Sequence, residues 1–230
     1  MKKIFIFFTF SFSLFTLSAS AQDEVEATIG ADVVSDYIWR GQDLGNAAVQ
    51  PGLSVAYKGF SIGAWGSVGI ANASDTKEFD LTAAYTVGGF NVGVTDYWFN
   101  TADKYFYYKN DATAHVFEAN VGYDFGVASV QVYTNFAGAD GVNGNGDRAY
   151  STYVEAAAPF TLGGLDWTAS VGVVPMKTSF YGTDGFAVTN LSLKAAKEIK
   201  ITDSFSLPVF AGVTANPCAE KAYFVFGISM

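Results

Sequence analysis

The sequence predicts an all-β protein, a transmembrane antiparallel up-and-down β-barrel of about twelve strands. Three observations predict it. Apolar and polar residues alternate with period two along most of the chain, short links alternate with longer ones, and aromatic residues collect at both ends of the alternating segments. Half of the residues are hydrophobic and 17% are aromatic, yet after the N-terminal segment no run approaches the roughly 18 apolar residues of a membrane helix. Alternation is how so apolar a chain distributes its oily surface.

The N-terminus has a different character. Lys2 and Lys3 precede an apolar run from Ile4 to Leu17, and Ala19-Ser20-Ala21 supplies small residues at a cleavage position. This is the pattern of a secretory signal peptide, with residues 1–21 removed before Gln22 and residues 22–230 forming one barrel domain in the bacterial outer membrane. Cleavage takes away two lysines and no acid, moving the formal charge from −9 to −11, so the mature chain should repel nucleic acid. Cys218 is the only cysteine, which excludes an intrachain disulfide.

Period two is clearest in Ala27 to Arg40, where Ala27, Ile29, Ala31, Val33, Tyr37 and Trp39 interleave with Thr28, Asp32, Asp36 and Arg40. The same pattern predicts strands at 27–40, 48–58, 60–70, 78–87, 90–99, 114–125, 127–137, 149–160, 164–174, 186–196, 204–214 and 222–230. Each suffices for an oblique bilayer crossing, which takes about 9–11 residues.

Alternation alone also fits a soluble sandwich; the connections separate the two. Short links at Lys58-Gly59, Gly88-Gly89, Gly126, Thr161 to Gly163 and Lys197 to Asp203 take turns with longer ones near 41–47, 71–77, 100–113, 138–148, 175–185 and 215–221. A barrel with tight periplasmic turns and long outer loops requires that order, and a Greek-key sandwich does not. Phe60, Phe90, Phe125, Phe160 and Phe205 flank the short turns, while Trp39, Trp98, Phe99, Phe136, Tyr150, Phe186 and Tyr223 mark the opposite belt.

Ser35-Asp36-Tyr37-Ile38-Trp39-Arg40-Gly41, then Pro51-Gly52-Leu53, Tyr57, Gly59-Phe60 and Gly63-Ala64-Trp65-Gly66-Ser67 form a further pattern. It resembles the opening of the TorF-type porins, which share an S-x-Y-x-x-R-G element followed by a Pro/Gly strand and a G-x-W-x-S strand. The resemblance covers about the first third of the mature chain. It implies an outer-membrane barrel of porin type, with no established substrate and no catalytic residues.

Strand parity predicts what lines the lumen. The inward acids are Asp32, Asp36, Asp80, Glu118, Asp124, Glu155 and Asp166, against the bases Arg40, Lys58 and Lys194. Seven acids against three bases favour cations in a pore, unless the charges pair across the wall. Asp36 and Arg40 fall on one face of the first predicted strand, roughly 13 Å apart. Trp65 points inward at mid-strand, although the glycines at 63, 66 and 69 permit a bulge that would reverse it.

The expected function is a porin-like channel for passive diffusion of small solutes or ions, with outer-membrane lipid around it. A structural or adhesive barrel is the alternative, and an outer-membrane hydrolase a third. The chain's one histidine, His115, falls on the lipid side near the outer rim with no nearby inward serine or acid partner in the pattern, so Ser-His chemistry is not expected. No catalytic residue, cofactor or metal is predicted. Asp140 to Asp147 has calcium-loop oxygens, but neither the regular order nor the closing glutamate. Tyr105-Phe106-Tyr107-Tyr108-Lys109 suits packing on the rim, with a sugar-stacking surface or a plug as alternatives.

Overall fold

The alternating segments become strands wherever one face can be buried, and in the computed structural model they close on themselves. The structure describes residues 24–72, 74–99, 104–109 and 113–230. The predicted signal peptide lies outside these residues. Twelve strands form a closed antiparallel barrel in chain order: β1 (Glu26–Val34), β4 (Ala48–Tyr57), β5 (Phe60–Gly69), β6 (Lys77–Val87), β7 (Phe90–Phe99), β8 (His115–Asp124), β9 (Ser129–Gly138), β10 (Thr152–Leu162), β11 (Leu165–Val174), β14 (Ala187–Lys200), β15 (Ser206–Asn216) and β16 (Lys221–Ser229). Two short hairpins, β2 (Tyr37–Trp39) with β3 (Gln42–Gly45) and β12 (Lys177–Thr178) with β13 (Thr183–Asp184), stand apart from the wall.

The predicted connections are present. Lys58-Gly59 and Gly163-Gly164 have positive φ at both central positions, the geometry of two-residue turns whose twist matches their strands. The aromatic belt at this end is made of packed pairs, Phe60 on Tyr85 and Phe160 on Trp167, with ring centroids 4.4 and 6.2 Å apart. At the other end the belt differs from expectation. Phe136, Tyr150 and Phe186 are exposed there, but Trp39 is buried among lumenal side chains and Phe99 stacks on inward Tyr97. Tyr223 also packs against an interior cluster.

Parity holds along the wall. Ile29, Leu53, Ile62, Val94 and Phe224 are exposed outward, while Gln50, Ser54, Ser61, Ser67, Thr95 and Ser170 are buried inward. Trp65 opposes Gly52 and Asp80 in unbroken register, so the neighbouring glycines create no reversal. The register shifts lie elsewhere, beside Phe117/Glu118 and Gly172/Val173.

The first predicted strand needs correction. Its wall segment ends at Val34, and residues 37–45 turn into the barrel as a hairpin. Asp36 and Arg40 therefore do not share a strand face. The departure also shortens the closing seam. β1 and β16 share three register pairs, from Asp32↔Ser229 to Val34↔Gly227, whereas β14 and β15 share ten. Ala31 and Met230 exchange backbone bonds below these pairs, and Ser35 accepts the Phe226 amide on its Oγ above them.

In lipid vesicles, Val121→Arg should lower stability by about 2–4 kcal/mol, whereas Asn120→Arg on the opposite face should cost much less. Unfolding titrations of the refolded variants check this; equal losses would refute the face assignment.

Candidate functional site

The residues that close the lumen begin where β1 ends. Gly41 has φ +79°, and a Cβ there would lie 1.8 Å from the Thr189 carbonyl oxygen, so only glycine permits this approach. Thr189 is the extra residue of the β14 bulge, and Asn216 on β15 donates its side-chain amide to the Gly41 carbonyl at 3.1 Å. These contacts dock the β2–β3 hairpin against the inner wall. Arg40, at its tip, has φ +51°, a left-handed conformation uncommon for a residue with a side chain.

What holds Arg40 there is its guanidinium. Its two nitrogens donate to the Glu118 carboxylate on β8 at 2.5 and 2.9 Å, and Nη1 also donates to the Tyr181 hydroxyl at 2.6 Å. The guanidinium lies 4.3, 4.1 and 4.9 Å from the ring centroids of Trp39, Tyr133 and Tyr153, a cation–π enclosure. Burial opposes its charge, and the Glu118 carboxylate supplies the counter-charge beside it. A fork of donors on a carboxylate with aromatic faces around it suits arginine and not lysine.

The second hairpin meets the first here. Tyr181, between β12 and β13, stacks on Trp39 with centroids 6.2 Å apart and on Tyr153 at 5.9 Å. Tyr37 donates to Glu78 at 2.8 Å and packs on Trp65, and Tyr97 donates to Glu118 at 2.9 Å. Glu155 accepts from Tyr153 at 2.7 Å and from Asn190 at 3.3 Å. Tyr37, Trp39, Trp65, Tyr97, Val116, Tyr153, Val174 and Tyr181 form one buried cluster, a plug across the loop-side half of the lumen.

Four of the lumenal candidates from the sequence converge at this level: Arg40, Trp65, Glu118 and Glu155, with Asp80 beside Trp65 in the ladder. The others lie apart. Asp124 accepts the Gly126 amide at a turn, Asp166 accepts from Thr161, Lys194 stacks its ammonium 4.0 Å over Phe210, and Asp32 opposes Gln50 and Ser229. Asp36 occupies the bend before the hairpin. Lys58 sits in its turn over the Tyr57 ring rather than within the lumen.

Sequence reasoning missed Glu78, which parity with Asp80 could have found. It also missed the inward tyrosines 97, 133 and 153, which stand out as large rings on otherwise polar strand faces. No pattern pointed to Tyr181.

His115 faces outward as expected, and an acid on the same outward face, Asp96, meets it. Its Nδ1 is 2.7 Å from Asp96 Oδ1 and its Nε2 2.5 Å from the Tyr105 carbonyl oxygen. With both nitrogens facing acceptors, neither is open to a nucleophile's proton. In the 140–147 loop, Asp140 accepts from Gly141 and Ser151 amides and Asn135, while Asn143 Oδ1 caps its own turn. Those oxygens serve the loop itself.

Glu118→Gln would leave the Arg40 guanidinium buried without its counter-charge. A loss of about 3–5 kcal/mol is expected, by comparison with other buried pairs broken on one side. Denaturant midpoints of the wild-type and variant barrels in the same vesicles measure it, and unchanged midpoints would show that the pair contributes nothing to stability.

No curated protein matches the chain. Among solved structures, one described as "Structure of porin refined at 1.8 angstroms resolution" is similar at 16% identity, with a TM-score of 0.38, over 92% of this chain and 78% of that one. The model of a bacterial protein family of unknown function, Gcw_chp, matches residues 18–207, and the chain belongs to that family.

Proposed function

We propose that the protein is a bacterial outer-membrane barrel of porin-like, TorF type, exported by cleavage after Ala21. In this reading it passes small solutes or ions, prefers cations, performs no catalysis and is closed at rest. The observation that carries the reading is the contrast between faces: exposed aliphatic and aromatic side chains outside, buried Ser, Thr, Asn, Gln and charged groups inside a closed ladder. A surface of this kind is soluble in lipid and useful around a polar interior.

The preference for cations rests on the level of the plug, where Glu78, Asp80, Glu118 and Glu155 gather around one arginine. The joints of that plug are polar. An ion pair and phenol hydroxyls can be exchanged for water when the hairpins shift, whereas a wholly apolar core could not be hydrated in this way.

Planar-bilayer recordings of the refolded chain test the reading. Wild type should open rarely, with reversal potentials across a salt gradient favouring cations. Arg40→Gln should raise the open fraction and strengthen the preference, and Glu155→Gln should weaken it. Silence from both wild type and Arg40→Gln, with barrels that still shift on a gel after boiling, would move the assignment to a structural barrel. Anion selectivity would remove the charge argument.

A further inference from the structure

The segment 104–109 lies outside the barrel. The Tyr105 ring packs on Phe79, Trp98 and His115 at centroid distances of 5.7, 5.6 and 5.0 Å, and Tyr108 covers His115 at 4.5 Å and Phe117 at 6.4 Å. All four wall residues lie on outward strand positions toward the loop end. This segment is therefore neither a lumen plug nor a free loop. It is a flap on the surrounding face of the wall.

Its anchor explains why it is there. The Asp96–His115 pair would stand in an apolar surface if bare, and an acid and an imidazole facing hydrocarbon are costly. The flap buries His115 completely, receiving its Nε2 on the Tyr105 carbonyl. The pair thus fixes the flap's height near the loop-side limit of the apolar band.

Residues 104–109 of the flap present lysines and aromatic rings, with Asp103 and Asp111 flanking them in the sequence. Lys104, Phe106, Tyr108 and Lys109 are exposed, Phe106 at 86%, and the Lys109 ammonium lies 5.8 Å over the Tyr107 ring. Lys77 extends the arc, two residues from Phe79 on the outward face of β6. Among the described residues beside it, Asp96 is engaged with His115, Glu78 points inward to Tyr37, and Asp75 is turned to Asn46. Three lysines thus share one arc in a chain whose acids outnumber its bases 22 to 13.

We propose that this arc binds the phosphorylated headgroup of an outer-leaflet lipid, with Lys77, Lys104 and Lys109 on the phosphates and Phe106 and Tyr108 in the upper acyl region. The proposal rests on the outer-membrane reading. Lysine stems lie along apolar surface while their ammonium groups reach the headgroup layer, and aromatic rings settle at that same depth. Basic clusters at a membrane surface attract anionic headgroups.

The test uses the mature chain refolded in phosphatidylcholine nanodiscs, with lipid retention read by native mass spectrometry. Diphosphoryl lipid A should be retained at least about tenfold better than its dephosphorylated form. Lys104→Gln/Lys109→Gln, outside every strand, should lose most of that difference, and adding Lys77→Gln should lose the rest. Lys197→Gln/Lys200→Gln removes equal charge at the opposite rim and should change nothing. Equal retention of the two lipids, equal retention by wild type and the flap variants, or the same loss in the opposite-rim control would overturn the proposal. Complete displacement by equimolar inorganic phosphate would reassign the arc to free phosphate. Failure of the wild type to insert into nanodiscs would instead sink the outer-membrane reading, a separate result visible before any lipid is added.

Discussion

Every other feature depends on the closing of the hydrogen-bond ladder between the first and last wall strands. An open sheet would leave two rows of unpaired backbone groups, which water can solvate and hydrocarbon cannot. Closure here is brief, three register pairs with bonds at either end, because β1 leaves the wall at Val34. Ser35 marks the departure, its backbone and hydroxyl both serving Phe226 before the chain turns inward. The short seam and the inward hairpin are one event: the residues that could have lengthened the ladder fill the lumen instead.

Filling the lumen sets a second problem, since the wall offers its interior mostly polar side chains. A purely apolar plug would strand them, and a purely polar one would pack poorly. The first hairpin and the wall strands β7 and β10 supply amphipathic rings. Tyr37, Tyr97 and Tyr153 bury their faces while their hydroxyls donate to Glu78, Glu118 and Glu155. Arg40 is the complement, one cation meeting a carboxylate edge-on and three rings face-on. Its left-handed backbone is tolerated because Gly41, pressed against Thr189, and the guanidinium contacts hold both sides of the turn. The Ser35–Gly41 element that resembles a porin motif is in structural terms the hinge, phenol, cation and docking point of this plug.

The wall was legible because its physics is periodic. A strand between two environments must alternate, and tight turns need residues that accept positive φ, so faces and short connections follow from neighbours in sequence. The plug was not legible for the same reason. Tyr37 and Trp39 continue the odd-numbered apolar set of β1, and Arg40 the even-numbered polar one, so alternation runs through the point where the backbone leaves the sheet. The structure brings Arg40 inside the wall from a hairpin and not from the strand that parity implies. Trp39, Phe99 and Tyr223 look like belt residues in the sequence because an aromatic near a strand end suits a rim or an interior equally. What separates those cases is contact between residues distant in the chain, such as Trp39 with Tyr181.

The same limit accounts for His115. Strand parity puts it outward, as the structure does, and offers no inward partner; its partners are outward Asp96 on β7, across the strand pair, and Tyr105 in the connection between β7 and β8. A polar pair in an apolar wall breaks the alternation rule, and the molecule answers locally by folding a strip of aromatics over it. That answer has a directional consequence. Covering the pair brings Lys104 and Lys109 to the outside of the wall at the height of the pair, so the two lysines are placed by the need to bury an acid and an imidazole, not by their own attraction to the barrel. On opposite faces of one wall, a buried polar pair thus organises its surroundings in the same way: Arg40 with Glu118 draws two hairpins into the lumen, and Asp96 with His115 draws an aromatic strip onto the outside.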